Sequence, residues 1–554
     1  MQLFSILVTH CMKYPYMNVR ETEKTDGEPC STPAKSSGGN AVVVIGAGVA
    51  GLTVAAILAK AGLKVSLFER EPQAGGYLAA FRRGHFIFDT SVQWLNQFRP
   101  RGFVFRIHRF LGEDGPRCRM LDRIHRYKGT HHDYLLTSKP LEFRDQLLRD
   151  FPTERDGIIA LFADAEKLGK HLLFLDDRMR AACTMTFREK MKHAFDMMRW
   201  AWPIRHVVST SAKKGLHRYF KSTDLRNLFH SNDTMMSVLV PLGFAFTGDF
   251  QALPEGGGGA IVDWLCKMIV KKGGEIHLSS GVSEVVVDDQ RVATGVRLSN
   301  GQLIQADYVV AACDSQLLFG EMVPHEAVFE RWRRRMANAD LYHSSFTIYL
   351  GLNCPPSLLG MNEELVHLTE DSVHPSERVS GDAQTTTISV FAPSFRDPTL
   401  ASPGKGTLQI QCPAYLAYQD RWKTGPNFER GEAYNTLKKQ YAEALLERVE
   451  RNLIPGLRQH IEEMTVATPI TFFRYTGNQG GGIMGLRPTS KNIRAGLAQI
   501  KTPIKRLLLG GQWAAYGGGV PIATKSAVNA SLLILRDLRP DAFNTLKAVV
   551  DGRN

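Results

Sequence analysis

The sequence lacks a long uninterrupted apolar segment. None of its apolar runs reaches the roughly 18 consecutive residues that a transmembrane helix requires. Residues 1–16 contain one short apolar stretch without a small-residue cleavage site, so a secretory signal is not expected. Acidic residues in the part that follows argue against an organellar transit peptide. We expect residues 1–39 to form a disordered leader, and either Met1 or Met17 could be the start.

The sequence also lacks paired cysteines. Its eight cysteines are dispersed, without a CxxC pair and without the histidine spacing of a zinc site. This pattern favours free thiols in a reducing compartment, and it predicts no bound metal. We therefore expect a cytoplasmic protein. The cysteines are Cys11, Cys30, Cys118, Cys183, Cys266, Cys313, Cys354 and Cys412.

The chain has fewer acidic residues than basic ones. The chain has 68 Lys and Arg against 55 Asp and Glu, a net charge of +13, which indicates an anionic partner. Residues 99–132 are dense in basic and aromatic residues, which is typical of a solvated loop or of contact with anionic lipid headgroups. No recognition helix, zinc pattern or RNA-binding signature accompanies the charge, so nucleic acid is not the expected partner.

A β–α–β pattern occupies residues 41–69. A β-branched run, Val42–Ile45, leads into a glycine-rich turn, a helix of small residues and a second strand ending at Glu69. The turn and the helix N-terminus suit a pyrophosphate, and the acid lies 18 residues after Gly51, as for a group that accepts ribose hydroxyls. The predicted dinucleotide contacts are Gly46, Ala47, Gly48, Ala50, Gly51 and Glu69.

A second pair of glycines follows shortly after Glu69. Gly75 and Gly76 precede an FIFDTS strand, and we expect them to lie along the same pyrophosphate. The segment from Val42 to Ser91 resembles the amino-terminal FAD-binding segment of the phytoene desaturase superfamily, which includes carotenoid cis–trans isomerases and retinol saturases. That resemblance implies cofactor contacts from Arg70, Gly75, Gly76 and Tyr77. Members usually carry Arg or Lys where this chain has Tyr77.

The carboxyl-terminal part carries a second glycine-rich block. A strand at 507–509 leads to Gly510-Gly511, a glycine run and then Pro521 at the start of a helix. This block resembles the closing motif of the superfamily, which implies backbone against the flavin ring; by motif position, Arg474, Tyr475, Gln512 and Trp513 are candidates to lie near it or to serve as loop anchors. The resemblance also implies that a valine meets the adenine. The further predicted cofactor contacts are Val282, Gly511, Gln512, Gly519 and Val520.

The order of these blocks predicts an α/β fold. We expect a Rossmann-like FAD-binding domain of the two-dinucleotide-binding-domain flavoprotein type, with a discontinuous α+β substrate domain. The predicted FAD-binding domain comprises residues 40–140, 251–325 and 460–545. The predicted substrate or membrane-facing domain comprises residues 141–250 and 326–459, and residues 546–554 form a tail.

One helix in the substrate domain has two possible environments. Apolar residues recur at helical spacing from Phe187 to Trp202, with basic residues between them and Pro203 as the expected end. Such a helix can face the core or an anionic membrane surface. The apolar run Met235–Phe246 likewise suits a lipid tunnel or the core.

The resemblance implies redox chemistry on a hydrophobic polyene or isoprenoid, carotenoid-like or retinoid-like. Desaturation transfers a hydride to flavin N5, saturation reverses it, and isomerisation has no net redox change. A single dinucleotide motif predicts FAD alone, with a quinone or oxygen as electron acceptor, and the basic charge predicts peripheral membrane association. The sequence identifies no catalytic residue. The alternatives are a flavin amine oxidase on a small substrate and a non-enzymatic lipid-escort protein on the same scaffold.

Overall fold

A computed structural model describes residues 40–231 and 233–553. The predicted leader 1–39 lies outside the described residues. The strands in chain order are β1 (Ala41–Ile45), β2 (Lys64–Phe68), β3 (Ala80–Arg83), β4 (Phe86–Asp89), β5 (Arg123–Lys128), β6 (Asp133–Thr137), β7 (Glu275–His277), β8 (Val282–Val287), β9 (Ala293–Leu298), β10 (Leu303–Gln305), β11 (Tyr308–Ala311), β12 (Ser344–Leu352), β13 (Leu365–Leu368), β14 (Ile388–Phe391), β15 (Gly406–Ala414), β16 (Ile461–Ala467) and β17 (Leu507–Leu509).

The main helices join these strands along the chain. In chain order they are α1 (Val49–Lys60), α2 (Phe103–Leu111), α3 (Pro140–Asp150), α4 (Arg155–Leu175), α5 (Phe187–Ser209), α6 (Ala212–Tyr219), α7 (Thr223–Leu228), α8 (Met236–Thr247), α9 (Gly257–Lys271), α10 (Glu330–Ala337), α11 (Glu432–Asn452), α12 (Pro469–Thr476), α13 (Ser490–Ala495), α14 (Val520–Leu538) and α15 (Pro540–Val550). Within the described ranges, no helix is long and apolar enough to cross a membrane.

A five-stranded parallel sheet forms the centre of the first layer, in the order β17-β11-β1-β2-β7. Its middle strand is a β-branched run whose Val42, Val43 and Val44 are buried, as expected for a parallel strand covered on both faces. Helix α1 packs against both α9 and α14, which explains why its residues are small and apolar on every side. The predicted Rossmann-like arrangement is therefore present.

The predicted hairpin at Asn300-Gly301 joins β9 to β10 in a three-stranded antiparallel sheet with β8. Gly301 has a φ of +89°, the left-handed conformation for which glycine is preferred at such turns.

A seven-stranded mixed sheet forms the second layer, in the order β16-β12-β15-β14-β13-β5-β6. One face packs on α11 through buried side chains such as Phe346, Ile410 and Leu445. Helices α3 to α8 form a separate cluster beside this sheet, and α8 packs on α4. Most of the apolar side chains of the Met235–Phe246 run are buried or half-buried in that cluster.

The structure corrects several predicted boundaries. Strands β5, β6 and β16 belong to the seven-stranded sheet, whereas the sequence predicts them within the FAD-binding domain. Strand β5 pairs with β13 about 240 residues away, with His125 opposite Leu365, and such pairing leaves no mark on local composition. Residues 546–550 are not a tail, because they complete α15, where Leu546 and Val550 are buried. Helix α5 does not end at Pro203 but continues to Ser209.

Candidate functional site

The turn between β1 and α1 leaves an open space at a helix N-terminus. No atom would lie within 4 Å of a Cβ placed on Gly48, and no side chain caps α1. In contrast, a Cβ on Gly51 would lie 1.9 Å from the carbonyl oxygen of Gly46, so this position tolerates only glycine. The first-turn Ala50 is buried. Uncapped amide groups at the positive end of the helix dipole form a site for an anion.

Glu69 is anchored to the same turn by its carboxylate. One oxygen accepts a hydrogen bond from the Ala47 amide at 2.7 Å, and the other accepts one from the Glu71 amide at 3.0 Å. An ionised carboxylate offers about four acceptor sites, so about two remain for hydroxyl groups of a ligand. The acid therefore both fixes the turn and can bind a ribose.

The second glycine pair lies directly against the first turn. Gly75 forms a β-bridge with Gly48, and its amide donates to the Ala47 carbonyl at 2.8 Å. A Cβ on Gly76 would lie 3.4 Å from the Gly48 Cα atom. The two predicted glycine loops are thus brought together at one place.

The residues that follow β2 and precede β8 are also neighbours. Ser280 donates its amide to the Glu69 carbonyl at 2.7 Å, and a Cβ on Gly281 would lie 3.3 Å from the Arg70 Cβ atom. Half-buried Val282 is the next residue, so it lies at the Glu69 end of the site. Arg70 reaches to helix α12, where its guanidinium donates to the Arg474 carbonyl at 2.8 Å.

A second uncapped helix N-terminus belongs to α14. It begins after Gly519, which has a φ of +86°, and Val520 in its first turn is buried. A Cβ on Gly511 would lie 3.3 Å from the backbone of Ala312, the residue after β11, so this glycine lets the loops after two parallel strands approach closely. Gln512 follows and packs its backbone near Gly485. Because α14 packs on α1, the two uncapped helices belong to the same packed layer.

The comparison with protein families agrees with this geometry. The family profile described as flavin-containing amine oxidoreductase matches residues 49–535. The chain belongs to this family. The match covers most of the chain and includes both helix N-termini.

The predicted superfamily is confirmed by relatives of this flavoprotein. It is 25% identical to phytoene desaturase (lycopene-forming) of Pseudescherichia vulneris over 90% of this chain and 99% of that protein. It is 24% identical to all-trans-retinol 13,14-reductase of Danio rerio over 92% of this chain and 89% of that protein. A crystal structure of a Methanosarcina mazei oxidoreductase has a TM-score of 0.56 at 18% identity, covering 90% of this chain and all of that one, which confirms the fold.

The cofactor of this flavin oxidoreductase is FAD, and the residues present fit it. The open space at Gly48 and the uncapped α1 N-terminus suit the pyrophosphate, and the spare acceptor sites of Glu69 suit a ribose. The N-terminus of α14 offers a second positive end to an electron-rich ring. The contact of each predicted residue with FAD stays a prediction. Among the described residues, no cluster of three potential metal ligands occurs.

Tyr77 has a role within the protein that the sequence did not indicate. Its hydroxyl donates to the Gly482 carbonyl at 2.8 Å, and burial raises its pKa to about 12, which keeps it protonated. The hydroxyls of Thr90 and Ser91 donate to its own carbonyl at 2.9 and 3.1 Å. In this flavoprotein the residue that replaces the usual cation thus joins the second glycine loop to the glycine run at 480–482.

Two buried aspartates of the site were not among the predicted residues. Asp314, just after β11, accepts from the amides of Gln316 and Gln479, both at 2.6 Å, and burial raises its pKa to about 6. Asp89 at the end of β4 accepts from the Gly258 amide at 2.8 Å, and burial raises its pKa to about 7. Asp89 ends β4 and Asp314 follows the end of β11 by three residues, so an acid at or shortly after a strand end was the available signal.

The four candidates for the ring environment differ in their burial, and their proximity to the ring stays a prediction. Arg474 and Tyr475 are exposed on α12, and Tyr475 is 63% accessible. Trp513 is buried in an apolar cluster with Leu486 and Leu497. The burial of Trp513 fits a packing residue, and the backbone of Gln512 lies next to Gly485.

Proposed function

We propose that this flavoprotein acts on a hydrophobic polyene or isoprenoid, which it desaturates, saturates or isomerises. The observation that carries the proposal is the similarity to polyene enzymes over about nine-tenths of the chain, which spans the cofactor layer and the seven-stranded sheet alike. Fold alone does not decide function, since one scaffold supports several chemistries. Similarity across both layers extends to the part that would hold a substrate.

The proposed reaction removes a hydride from an allylic carbon and a proton from the neighbouring carbon, which leaves a new double bond. FAD supplies the two-electron acceptor for this chemistry when bound. The protein orients the cofactor through the N-termini of the two uncapped helices. The hydrogen bond from Tyr77 to the Gly482 carbonyl joins the second glycine loop to residues 480–482 and so helps to exclude water. Because the sequence contains one dinucleotide motif, we propose oxygen or a membrane quinone as the final acceptor.

Helix α5 supports peripheral binding to a membrane that contains the substrate. Its inner face holds Trp200, Ile204 and Val207 in the helical cluster. Its outer face exposes five large apolar side chains spaced by three or four residues, which places them in one stripe. Their accessible fractions are 76% for Phe187, 46% for Met191, 59% for Phe195, 40% for Met198 and 56% for Trp202.

Exposed cations border this stripe. Arg188, Lys192 and Arg199 are exposed on α5, and Lys213 and Lys214 are exposed on the next helix. Each basic residue near an anionic surface contributes about 1 kcal/mol, and an apolar face with a basic border is typical of interfacial helices. We propose that the α5 stripe lies in the headgroup region of an anionic membrane of the cytoplasm.

The basic segment 99–132 is a weaker candidate for that contact. Many of its cations are engaged by acidic side chains of the protein. These pairs are Arg99 with Asp176, Arg106 with Asp177, Arg119 with Glu363, Arg123 with Glu364, and Arg126 and Lys128 with Asp133.

Product analysis tests the proposed function. The full chain is expressed in cells that make phytoene, prolycopene or retinol, with a Gly48→Asp variant as the flavin-deficient control. We expect a changed polyene only with the unaltered chain. A flavin-loaded protein that leaves all three unchanged, but releases peroxide from a small amine, would contradict the proposal in favour of an amine oxidase. A colourless purified protein would instead favour the lipid-escort alternative.

A further inference from the structure

One face of the seven-stranded sheet carries polar side chains on four neighbouring strands, although the opposite face packs on α11. Along β12 and β15, buried apolar residues alternate with polar ones. The strand register places Gln411 opposite both Thr347 and Ser389, and it places Ser389 opposite His367. These four residues therefore form a row across four strands. We call Thr347, Gln411, Ser389 and His367, together with His125 beside them, the polar row.

The polar row is attached to the cofactor layer next to Tyr77. The Gln93 side-chain amide donates to the Gln411 side-chain oxygen at 2.6 Å, and Gln409 donates to the Asp89 carbonyl at 3.0 Å. Gln93 follows Thr90 and Ser91, whose hydroxyls bind the Tyr77 carbonyl. The row thus begins within a few residues of the loop that closes on the glycine run.

At the other end of the row, His367 contacts both His125 and Ser389 through its two ring nitrogens. His125 Nδ1 lies 2.8 Å from His367 Nε2, and Ser389 Oγ lies 3.4 Å from His367 Nδ1. The aromatic rings of Trp94 and Phe250 pack beside His125, with centroids 6.4 and 5.2 Å from its ring. The histidine end of the polar row therefore lies next to apolar aromatic side chains.

The polar row offers uncharged donors and acceptors. Burial lowers the pKa of His367 to about 4, and burial followed by the nearby His367 and Arg396 lowers that of His125, so both imidazoles are neutral near pH 7. Arg396 is the nearby cation, and its guanidinium donates to the backbone carbonyls of Gln93 and Glu363. The row itself contains no carboxylate or ammonium group.

Part of this polar surface remains accessible. Gln411, Ser389 and His367 are half-buried, whereas the residues before and after each of them on the strand are buried or point to the opposite face. A purely hydrocarbon ligand that packs against these groups would displace water from them without replacing the hydrogen bonds of that water, and this loss costs binding free energy.

We infer that the polar row binds the oxygen of a neutral end group, so that the substrate is a polyene or isoprenoid carrying a hydroxyl or carbonyl. This inference rests on the proposed function and narrows its substrate class. A site built to hydrogen-bond a hydroxyl rejects the analogue that lacks it, because its own polar groups are then left unpaired. An ionised carboxylate or an amine is disfavoured, because the row itself holds no charged partner and the guanidinium of the nearby Arg396 already donates to backbone carbonyls.

Binding of matched ligands to the FAD-loaded full chain tests the inference. The probes are all-trans-retinol and the hydrocarbon of the same skeleton without the hydroxyl, and, in parallel, a 40-carbon carotene and its hydroxylated derivative. We expect at least one alcohol to bind about tenfold more tightly than its hydrocarbon, the ratio that corresponds to about 1.4 kcal/mol. Gln411→Leu and His367→Phe should each bring the ratio close to one by weakening the alcohol alone.

His374→Phe is the matched control, because His374 bonds Ser376 in an exposed loop of the same region and should leave the ratio unchanged. Flavin content and thermal unfolding report whether each variant is folded, and Ser389→Ala provides a milder third variant. If alcohol and hydrocarbon bind equally, or the variants weaken both alike, the row is structural and the inference is overturned. If a flavin-loaded protein binds neither kind of polyene, the proposed function fails as well.

Discussion

Removal of the Glu69 carboxylate should release FAD and loosen the turn that holds it. In the protein, Glu69 accepts two backbone amides, from Ala47 at 2.7 Å and from Glu71 at 3.0 Å. Glu69→Ala leaves both donors without this partner. Hydrogen bonds to a charged group contribute about 1.5–3 kcal/mol each, so the loss of one ribose contact alone should raise the Kd for FAD by about 10- to 150-fold.

The assay is flavin retention after ultrafiltration, combined with thermal unfolding with and without added FAD. Glu71→Gln is the control, because Glu71 is adjacent but its carboxylate pairs with the half-exposed Arg70. Glu69→Gln should fall between the control and Glu69→Ala, since one side-chain oxygen still accepts an amide. Full flavin retention and an unchanged Tm in Glu69→Ala would refute this role of Glu69.

Three further results are expected. Gly48→Asp should fold, because nothing lies within 4 Å of the added Cβ. Its carboxylate would occupy the anion site, so the flavin content should fall while the circular dichroism spectrum stays unchanged. Loss of the folded state would contradict this prediction. Phe195→Glu with Trp202→Glu should reduce sedimentation with anionic vesicles at least tenfold, whereas Val270→Glu, a 62% exposed position on α9, should not. Burial raises the pKa of Asp89 to about 7 in the folded state. Between about pH 4 and 7 the folded protein therefore binds this proton while the unfolded chain has lost it, so the free energy of unfolding should fall as the pH rises through this range. Asp89→Asn should flatten this decline by roughly 2–4 kcal/mol in chemical denaturation, and an unchanged slope would rule out Asp89 as its source.

Local features of the fold were predictable from the chain alone. The turn after β1, helix α1 and the acid at the end of β2 lie within about 30 residues, so their contacts are encoded by neighbours in sequence. The Asn300-Gly301 hairpin is local in the same sense. Pro203 misled the prediction because packing of Trp200 and Ile204 holds α5 together beyond the proline. The predicted tail was wrong because Leu546 becomes apolar core only once α15 meets the helices before it.

The sequence by itself determined the flavin-binding unit, its cofactor class and the alternating pattern of the strands. Two properties depended on tertiary packing. The outward direction of the α5 stripe followed from which face the helical cluster covered, since an amphipathic pattern has the same period toward core or lipid. The polar row required β5 and β13, about 240 residues apart, to pair in one sheet, and such long-range pairing is governed by the energy of the whole packed layer.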